Sequence, residues 1–410
     1  MSNVHFLREQ TPASSSNAQD EKRRELFVRA EALSQDFARR GAELDRVGAP
    51  PREEIEALRQ AGLLTTLHSP EVGGAGLSWV DGLRLVRIIA RGESSIGQLL
   101  GYHYVNSQYV YWAAADPKQA WVLGAETVER QLYWGAAVNP RDPSLTLERR
   151  GGHYVLNGRK TFSTGAHVSD RINVNAAIDG KIANFVVPTD RPGYVANDDW
   201  DNIGQRLSDS GSVEFRDFPV YERDFILPLA DPSDPPPVQA TFNTPLIQLV
   251  FVNFYLGTAE GALAAALDYV RSTTRPWITS GVERASDDPY ILERIGELQA
   301  NLKASIALAD AAAALVEAAL SQGRSVTAEA RGQAAIEVYA AKVHSTHVSL
   351  DVTTKVFELM GARATAGYYR FDRYWRNVRT HTLHDPVAYK AREVGDFALN
   401  GRIPPVSLYS

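Results

Sequence analysis

The segment from Phe371 to Pro386 combines residue types that bind anions with residue types that move protons. It contains three arginines and two histidines. Arginine binds phosphate or carboxylate through a two-pronged fork, and histidine titrates near neutral pH. The segment therefore predicts part of a site for an anionic cofactor and for proton-coupled chemistry. His381 and His384 would share one face if this segment is helical, and they are the candidates for proton handling.

The overall composition excludes several classes of function. A chain of 410 residues, 44% of them hydrophobic, is long enough for a sizeable core and for two to three domains of about 150 residues. Its net charge of −6, with both signs interspersed, argues against a nucleic-acid partner. The absence of cysteine excludes disulfides and cysteine-ligated metals. His344 and His347 repeat the His-x-x-His spacing, but no carboxylate-rich motif accompanies either pair, so no metal site is predicted.

Neither a targeting segment nor a membrane span is predicted. Residues 1–20 are polar and lack the apolar core of a signal peptide, so they are predicted to form a disordered tail. The apolar run Leu246–Leu256 is interrupted by Gln248 and Asn253 and is too short to cross a bilayer. These features predict a soluble, cytoplasmic protein that acts on a small molecule.

Three stretches of different pattern follow the tail. Residues 21–131 have apolar residues at three- to four-residue spacing, which predicts an N-terminal helical domain. Residues 132–236 contain strand-like runs and predict a middle β-domain, in which Asn157-Gly158 has the signal of a hairpin turn. Residues 237–410 predict a C-terminal helical bundle. Its long amphipathic helices are expected at residues 242–275, 290–320 and 327–360.

This order of domains resembles the acyl-CoA dehydrogenase fold, and the resemblance covers nearly the whole chain. Two motifs carry it. Gly62-Leu63 followed by Ser69–Gly76 is similar to an N-terminal pattern of that superfamily, and Asn157–Gly165 is similar to its flavin-contacting strand. The fold class that the resemblance implies is mostly α with a central β-barrel-like domain.

A closer resemblance is to the reduced-flavin (class D) monooxygenases of that superfamily, which include dibenzothiophene monooxygenases and sulfur-acquisition oxidoreductases. The runs that carry it are Gly101–His103, Asn197–Trp200, Ile203-Gly204, Asp209–Ser212, Arg275–Trp277, Asp288–Tyr290 and Trp375–Pro386.

This resemblance implies a two-component monooxygenase. Reduced FMN would react with O2 to give a C4a-hydroperoxyflavin, which oxygenates a small organosulfur or aromatic heterocyclic substrate. No nicotinamide-binding fingerprint is present, so a separate NAD(P)H-dependent flavin reductase would supply the FMNH2. A homo-oligomer, by family expectation a tetramer, is implied because each site would be completed across an interface.

The resemblance also assigns roles to individual residues. Trp200 would cover the flavin ring, and Arg275 would hold the flavin phosphate together with Arg363 from a neighbouring subunit. The whole implied flavin-binding set is Phe162, Ser163, Thr164, Trp200, Ser210, Arg275, Arg363 and His384. The implied catalytic set is His384, His381, Tyr102 and Thr164. The implied substrate pocket is Gln98, Tyr102, Ala136 and Asn139.

Three positions depart from the pattern of the dibenzothiophene enzymes. Gln98 stands in place of a histidine, Ala136 in place of an asparagine and Thr164 in place of a serine. The change at Thr164 conserves a hydroxyl. The other two alter the polarity and volume of the pocket wall, so a different substrate is expected, with Asn139 close enough to substitute for the missing amide.

Other functions stay open at this point. In an FAD-dependent acyl-CoA dehydrogenase the base is a glutamate; Asp385 aligns there, but it is one methylene shorter and precedes a proline, so oxygenation ranks higher. N-hydroxylation of an amine by the same flavin chemistry is a second alternative, and a non-enzymatic protein that binds flavin or an aromatic ligand is a third. The two histidines and Tyr102 also have a structural interpretation, as packed core residues.

Overall fold

The computed structural model describes residues 13–406 except residues 140 and 232. Its N-terminal part is helical, as predicted. The helices are α1 (Ala13–Val47), α2 (Arg52–Gln60), α3 (Trp79–Gly92), α4 (Ser94–Ala113) and α5 (Pro117–Arg130). Local sequence explains two of their starts: the Ser78 hydroxyl accepts from the Asp81 amide ahead of α3, and Asp116 caps α5 immediately before Pro117.

Helix α1 begins inside the segment that was predicted to be a disordered tail. Residues 1–12 lie outside the described residues, but residues 13–20 are helical. Contacts from the same helix hold its start against the rest of the domain. Gln19 Nε2 donates to the Ala75 carbonyl at 2.7 Å, and Arg23 makes two 2.7 Å bonds to Asp81. The composition of this segment could not show these long-range partners.

The middle domain is a seven-stranded sheet. Its strands are β1 (Trp134–Ala137), β2 (Thr146–Arg150), β3 (His153–Lys160), β4 (Arg171–Ile178), β5 (Lys181–Pro188), β6 (Tyr194–Ala196) and β7 (Val213–Val220). Their order is β1-β4-β2-β3-β7-β6, and β5 pairs with β4. The pairs are antiparallel except those that join β4 to β1 and to β2. Inward-facing apolar side chains of several strands form the domain's own core.

The prediction of a hairpin turn at Asn157-Gly158 is wrong. These residues lie within β3, where the register with β7 shifts between Leu156 and Gly158, as in a β-bulge. Gly158 has φ +124°, and a Cβ there would lie 2.2 Å from the Ser144 carbonyl oxygen. The turn between β2 and β3 is instead Gly151-Gly152, because Arg150 pairs with His153.

The C-terminal part is the predicted helical bundle. It consists of α6 (Asn243–Ser272), α7 (Pro289–Leu320), α8 (Ala328–Met360), α9 (Asp372–His381) and α10 (Val387–Asn400). The three long helices lie within a few residues of their predicted bounds. Helix α9 and the connection that follows it carry the segment Phe371–Pro386, which we call the histidine segment.

Helix α6 is the central element of the bundle, in contact with α3, α4, α7 and α8. It is apolar on nearly every face, which is the pattern of a fully buried helix. The run Leu246–Leu256, predicted as too short for a membrane span, belongs to a longer helical stretch, Val238–Ser272, that is long and apolar enough to cross one. However, 83% of its most apolar window is buried, as in the core helix of a soluble protein.

Candidate active site

Arg376, one of the three arginines of the histidine segment, fastens α9 to the rest of the fold. Arg376 bonds to Asp45 of α1 at 2.6 Å and to the Ile203 carbonyl at 2.6 Å. Arg373 is buried and donates to the Tyr374 hydroxyl at 2.8 Å. The interpretation of this arginine cluster as an anion site is therefore wrong for these two residues, because the donors of Arg376 hold α9 against α1 and those of Arg373 are used within its own segment.

His381 lies at the end of α9 between two tyrosines. Its Nε2 is 3.0 Å from the Tyr102 hydroxyl of α4, and its Nδ1 is 2.7 Å from the Tyr255 hydroxyl of α6. The rings of Phe251 and Phe254 pack edge-on against the imidazole at 4.5 and 4.7 Å. The structure thus places the buried His381 between two hydroxyl groups, an arrangement that we call the hydroxyl clamp. A histidine that only packs in the core would be expected to bond to backbone carbonyls instead.

Burial fixes the protonation states of this clamp. Desolvation, reinforced by the nearby His384 and Lys342, holds the pKa of His381 well below its usual value. Desolvation also raises the pKa of Tyr102, and this shift is opposed by Gln98 one turn earlier on α4. The imidazole is consequently neutral at physiological pH, with one nitrogen able to donate and the other able to accept.

A buried ion pair lies behind the clamp. Lys342 of α8 is fully buried; its Nζ is 3.4 Å from the Tyr255 hydroxyl and 3.4 Å from Asp385 Oδ1. Gln248 Nε2 donates to the other Asp385 oxygen at 3.3 Å. Burial raises the pKa of Asp385, but the bond from His384 and the charge of Lys342 outweigh burial and hold it below the usual range. We call Tyr102, His381, Tyr255, Lys342 and Asp385 the histidine network.

His384 is the member of the predicted set that adjoins this network from the surface. Its ring is stacked on His381 with centroids 5.3 Å apart, and its Nδ1 is 3.3 Å from Asp385 Oδ1. Its side chain is 44% exposed. The His384 ring is therefore accessible to solvent or to a bound ligand, whereas His381 is buried.

The β-domain contributes a second group of predicted residues. Phe162 is 66% exposed with φ +56°, a strained conformation for a bulky residue, and its ring lies 6.2 Å from that of Trp200. Beside it, the Thr164 and Ser210 hydroxyls are 2.9 Å apart. Ser163 is buried, and its amide donates to the Gly211 carbonyl at 2.8 Å. Exposed aromatic edges beside buried hydroxyls suit a planar, polar-edged ligand such as a flavin.

A hydrogen-bond bridge joins this group to α9. The Trp200 indole donates to the Gln205 carbonyl at 2.8 Å, and the Gln205 amide donates to Asn377 Oδ1 at 2.7 Å. Gly204 lies so close to α9 that a Cβ would be 2.1 Å from the Arg376 carbonyl oxygen. Trp200 is thereby positioned by the helix that ends at His381, which links the two halves of the site.

The predicted pocket residues are distributed over both halves. Gln98 is on α4, one turn before Tyr102. Ala136 lies on β1 opposite Asn173, which reaches α4 by donating to the Asn106 carbonyl at 3.0 Å. Asn139 donates to the Thr161 hydroxyl at 3.2 Å, next to Phe162. The structure places these residues on elements that border the site, but among the described residues no contact joins all four of them.

The structure does not bring the predicted phosphate arginines to this site within one chain. Arg275 follows the end of α6, and from Tyr255 to Ser272 the helix runs about 25 Å at 1.5 Å per residue. Thr274 bonds to the Met360 carbonyl at 3.4 Å, so Arg363 lies at the same end of the bundle. Both arginines are exposed, and within residues 13–406 as described neither makes an ion pair.

Sequence reasoning missed Tyr255, Lys342 and Gln248. One signal was available: Lys342 lies three residues after Tyr339, on the buried face of α8, where a lysine is out of place. Gln248 gave a similar signal as a polar residue within the apolar run Leu246–Leu256, whereas Tyr255 gave none, because α6 is buried on nearly all faces. The other His-x-x-His pair, His344 and His347, is exposed on α8, and in the described part of the chain no cluster of three or more potential metal ligands is found.

Comparison with known proteins agrees with this architecture. The models of the N-terminal, middle and C-terminal domains of acyl-CoA dehydrogenase match residues 21–125, 135–218 and 249–388. The chain is 38% identical, over 93% of its length and 96% of the relative's, to the probable FMNH2-dependent monooxygenase SfnC from Pseudomonas putida. It belongs to the FMNH2-dependent monooxygenase branch of the acyl-CoA dehydrogenase superfamily.

Solved structures of this branch share the fold. The complex of TdsC from Paenibacillus sp. A11-2 with FMN and indole superposes with a TM-score of 0.89 at 39% identity, covering 94% of this chain and all of the other. Methanesulfinate monooxygenase MsuC from Pseudomonas fluorescens gives a TM-score of 0.88 at 36% identity, covering 93% of this chain and 98% of the other. The fold class implied by the sequence, mostly α around a central β-domain, is confirmed.

Proposed function

We propose that this protein is the oxygenase of a two-component system, which uses reduced FMN and O2 to oxygenate a small organosulfur compound. Relatives named as FMNH2-dependent, methanesulfinate and dibenzothiophene monooxygenases support this assignment. An NAD(P)H-dependent flavin reductase would supply the FMNH2, and a cytoplasmic location fits a supply of reduced flavin.

The state of Asp385 is the observation that carries the choice of chemistry. A dehydrogenase needs a carboxylate that can reach the substrate and accept its proton. Asp385 is 5% exposed, is bonded to Lys342, Gln248 and His384, and has a lowered pKa, so it is a poor base. Acyl-CoA dehydrogenation is therefore disfavoured, whereas a half-exposed His384 suits proton transfer during oxygenation.

The residues of the β-domain fit FMN. When bound, reduced FMN supplies the electrons that activate O2. Phe162 and Trp200 would hold the flavin ring, and the Thr164 and Ser210 hydroxyls would bond to its polar edge. Ser163 would support that edge through its backbone. Tyr102, Gln98, Ala136 and Asn139 would bound the substrate and exclude water, which otherwise diverts oxygen to hydrogen peroxide.

We infer that the phosphate end is completed by a second copy of the chain. Arg275 and Arg363 are exposed together at one end of the bundle, about 25 Å along α6 from the level of Tyr255. Arginine forks are suited to phosphate, so the pair would reach the FMN of a neighbouring subunit. A homotetramer is the expected assembly.

The decisive experiment supplies photoreduced FMN to the purified protein without air and then adds oxygenated buffer. Dibenzothiophene and methanesulfinate serve as the test substrates. Oxygenated product in proportion to the O2 consumed is the expected result. Formation of hydrogen peroxide alone with both substrates, together with bleaching of bound FAD by an acyl-CoA, would overturn the proposal in favour of dehydrogenation. Oxidised FMN without a reductase is the control and should give no product.

A further inference from the structure

Lys342 has no role in the function proposed above, yet it is the most deeply buried cation next to the site. It is held on α8 beneath the Phe251 ring at 4.4 Å, with Asp385 as its counter-ion. Burying a lysine is costly unless it is paired and hydrogen-bonded. Here the ammonium points at a tyrosine that bonds to His381, which suggests a use beyond packing.

The chemistry of the partners fixes the direction of the hydrogen bonds. A lysine ammonium can only donate, so Tyr255 accepts from Lys342 and must donate its own proton elsewhere. The atom within reach is His381 Nδ1, at 2.7 Å. His381 then carries its proton on Nε2 and donates it to the Tyr102 oxygen at 3.0 Å. The Tyr102 proton then points away from His381, toward the side on which we propose that the substrate binds.

We propose that Lys342, Tyr255, His381 and Tyr102 form a one-way proton relay from the buried ion pair to the substrate pocket. In one passage a Lys342 N–H bond breaks and Tyr255 gains that proton as it passes its own to His381 Nδ1. His381 passes its Nε2 proton to Tyr102, and Tyr102 gives its hydroxyl proton to an acceptor in the pocket. The net change is one proton moved, with Lys342 left as a neutral amine.

Asp385 and His384 provide the way to restore that proton. Asp385 Oδ1 lies 3.4 Å from Lys342 and 3.3 Å from His384 Nδ1, and the His384 ring is half-exposed. A proton taken up by His384 can therefore return to Lys342 through the carboxylate. Lys342 and Asp385 act through other residues, so they are positioning residues for the Tyr102 hydroxyl.

Groups from four elements set the charge of Lys342. Burial lowers its pKa to about 8, Asp385 from the α9–α10 connection opposes this, and Lys390 of α10 adds to it. Tyr255 of α6 and His381 of α9 complete its polar surroundings. Lys342 should thus lose its proton, and with it the donor that orders the relay, as the pH rises through about 8.

Nitrogen-15 NMR of the full-length protein, labelled at histidine and free of flavin, tests the relay. Below pH 7 the His381 ring should be neutral with the proton on Nε2. Its Nδ1 signal should then shift between pH 7 and 9, because it senses the loss of the Lys342 proton through Tyr255. In Tyr255→Phe this shift should vanish while the ion pair stays intact.

Tyr269→Phe is the matched control. Tyr269 is a buried tyrosine on the same helix, and its hydroxyl has no hydrogen-bond partner among the residues that the structure describes. The shift should persist in this variant. A wild-type His381 signal that does not change from pH 7 to 9, or the same change in Tyr255→Phe, would overturn the relay.

A second variant keeps the test decisive if Tyr255→Phe folds poorly. Lys342→Met combined with Asp385→Asn removes both charges and retains side-chain volume, a change that buried ion pairs often tolerate. It should abolish the shift of His381 between pH 7 and 9. Persistence of that shift in the double variant would also overturn the relay.

The use of the relay in oxygen transfer rests on the proposed function, and a separate readout tests it. With photoreduced FMN and substrate, Tyr255→Phe should lower the ratio of product to hydrogen peroxide by about a hundredfold, the scale of one lost proton transfer. If the NMR shift behaves as expected but the ratio of product to hydrogen peroxide is unchanged, the relay is supported and its link to oxygenation is refuted. Absence of product in the wild type would refute the proposed function alone.

Discussion

The histidine network and the arginine pair of Arg275 and Arg363 differ in how they are completed. His381, Lys342 and Asp385 are buried, and each forms its hydrogen bonds with other residues of the same chain. The two arginines are exposed and, in the part of the chain that the structure describes, lack ion-pair partners. Folding alone therefore builds the part of the site that we propose handles protons, whereas the proposed anion-binding part requires a ligand and a second subunit. Substitutions in the two regions should therefore affect the stability and activity of the protein in different ways.

The largest effect is expected at the surface end of the network. His384→Ala removes the half-exposed imidazole that contacts Asp385 and His381, so product formation should fall by about 10²–10⁴-fold, the usual contribution of a general acid or base. FMN binding should persist, and the O2 consumed should appear as hydrogen peroxide. Product and peroxide are measured together. His347→Ala, an exposed histidine on α8, should change neither, and an unchanged product yield in His384→Ala would remove His384 from the mechanism.

The next effect concerns stability. Asp385→Asn leaves Lys342 buried without its counter-ion, which should lower the free energy of unfolding by about 3–5 kcal/mol. Urea denaturation measures the loss. Asp268→Asn is the control, because it breaks an exposed pair with Arg271 and should cost about 1 kcal/mol or less. Equal losses in the two variants would contradict the distinction between a network built by folding and an open surface.

A binding defect without a stability defect is expected in the other region. Arg275→Ala should weaken FMN binding by about 1.5–3 kcal/mol, the value of a charged hydrogen bond, and leave the unfolding free energy unchanged. Titration calorimetry and urea denaturation measure the two quantities. Arg284→Ala, an exposed arginine in the same α6–α7 connection, should alter neither. Unaltered FMN affinity in Arg275→Ala would refute the phosphate role.

The smallest effect is expected at the bridge between the β-domain and α9. Asn377→Ala leaves the buried Gln205 amide without its acceptor, at a cost of about 1–3 kcal/mol in unfolding free energy. Since the Gln205 carbonyl holds the Trp200 indole, the tryptophan fluorescence should also change. Asn400→Ala on the exposed face of α10 should leave both unchanged. A stable variant with native fluorescence would show that Trp200 is positioned by other contacts.

The sequence was sufficient for the fold where the signals are local. Apolar periodicity located α6, α7 and α8 to within a few residues, because each helix must bury one or more faces. The Asn157-Gly158 signal failed because the same dipeptide can form a turn or a bulge. The close approach of Gly158 to the Ser144 carbonyl, a tertiary contact, decides between them.

The sequence indicated candidate residues for the site but not their partners. His381, His384 and Tyr102 were singled out, and the structure brings them together, but the sequence could not show that Tyr102 meets His381. Arg373 and Arg376 of α9 were misread for the same reason. Whether Arg376 binds a ligand or the buried Asp45 depends on a contact between residues 331 positions apart, which no local pattern reveals.

The burial of α6 has a consequence for synthesis of the protein. Ser272 is 88 residues ahead of Met360, the end of the helix that covers one side of α6. At the usual ribosomal rate of about 5–20 residues per second, that side stays uncovered for roughly 4–18 seconds. During this interval the nascent chain presents an apolar helix that resembles a membrane segment, so its yield in cells should depend on chaperones that shield such helices until α8 has emerged.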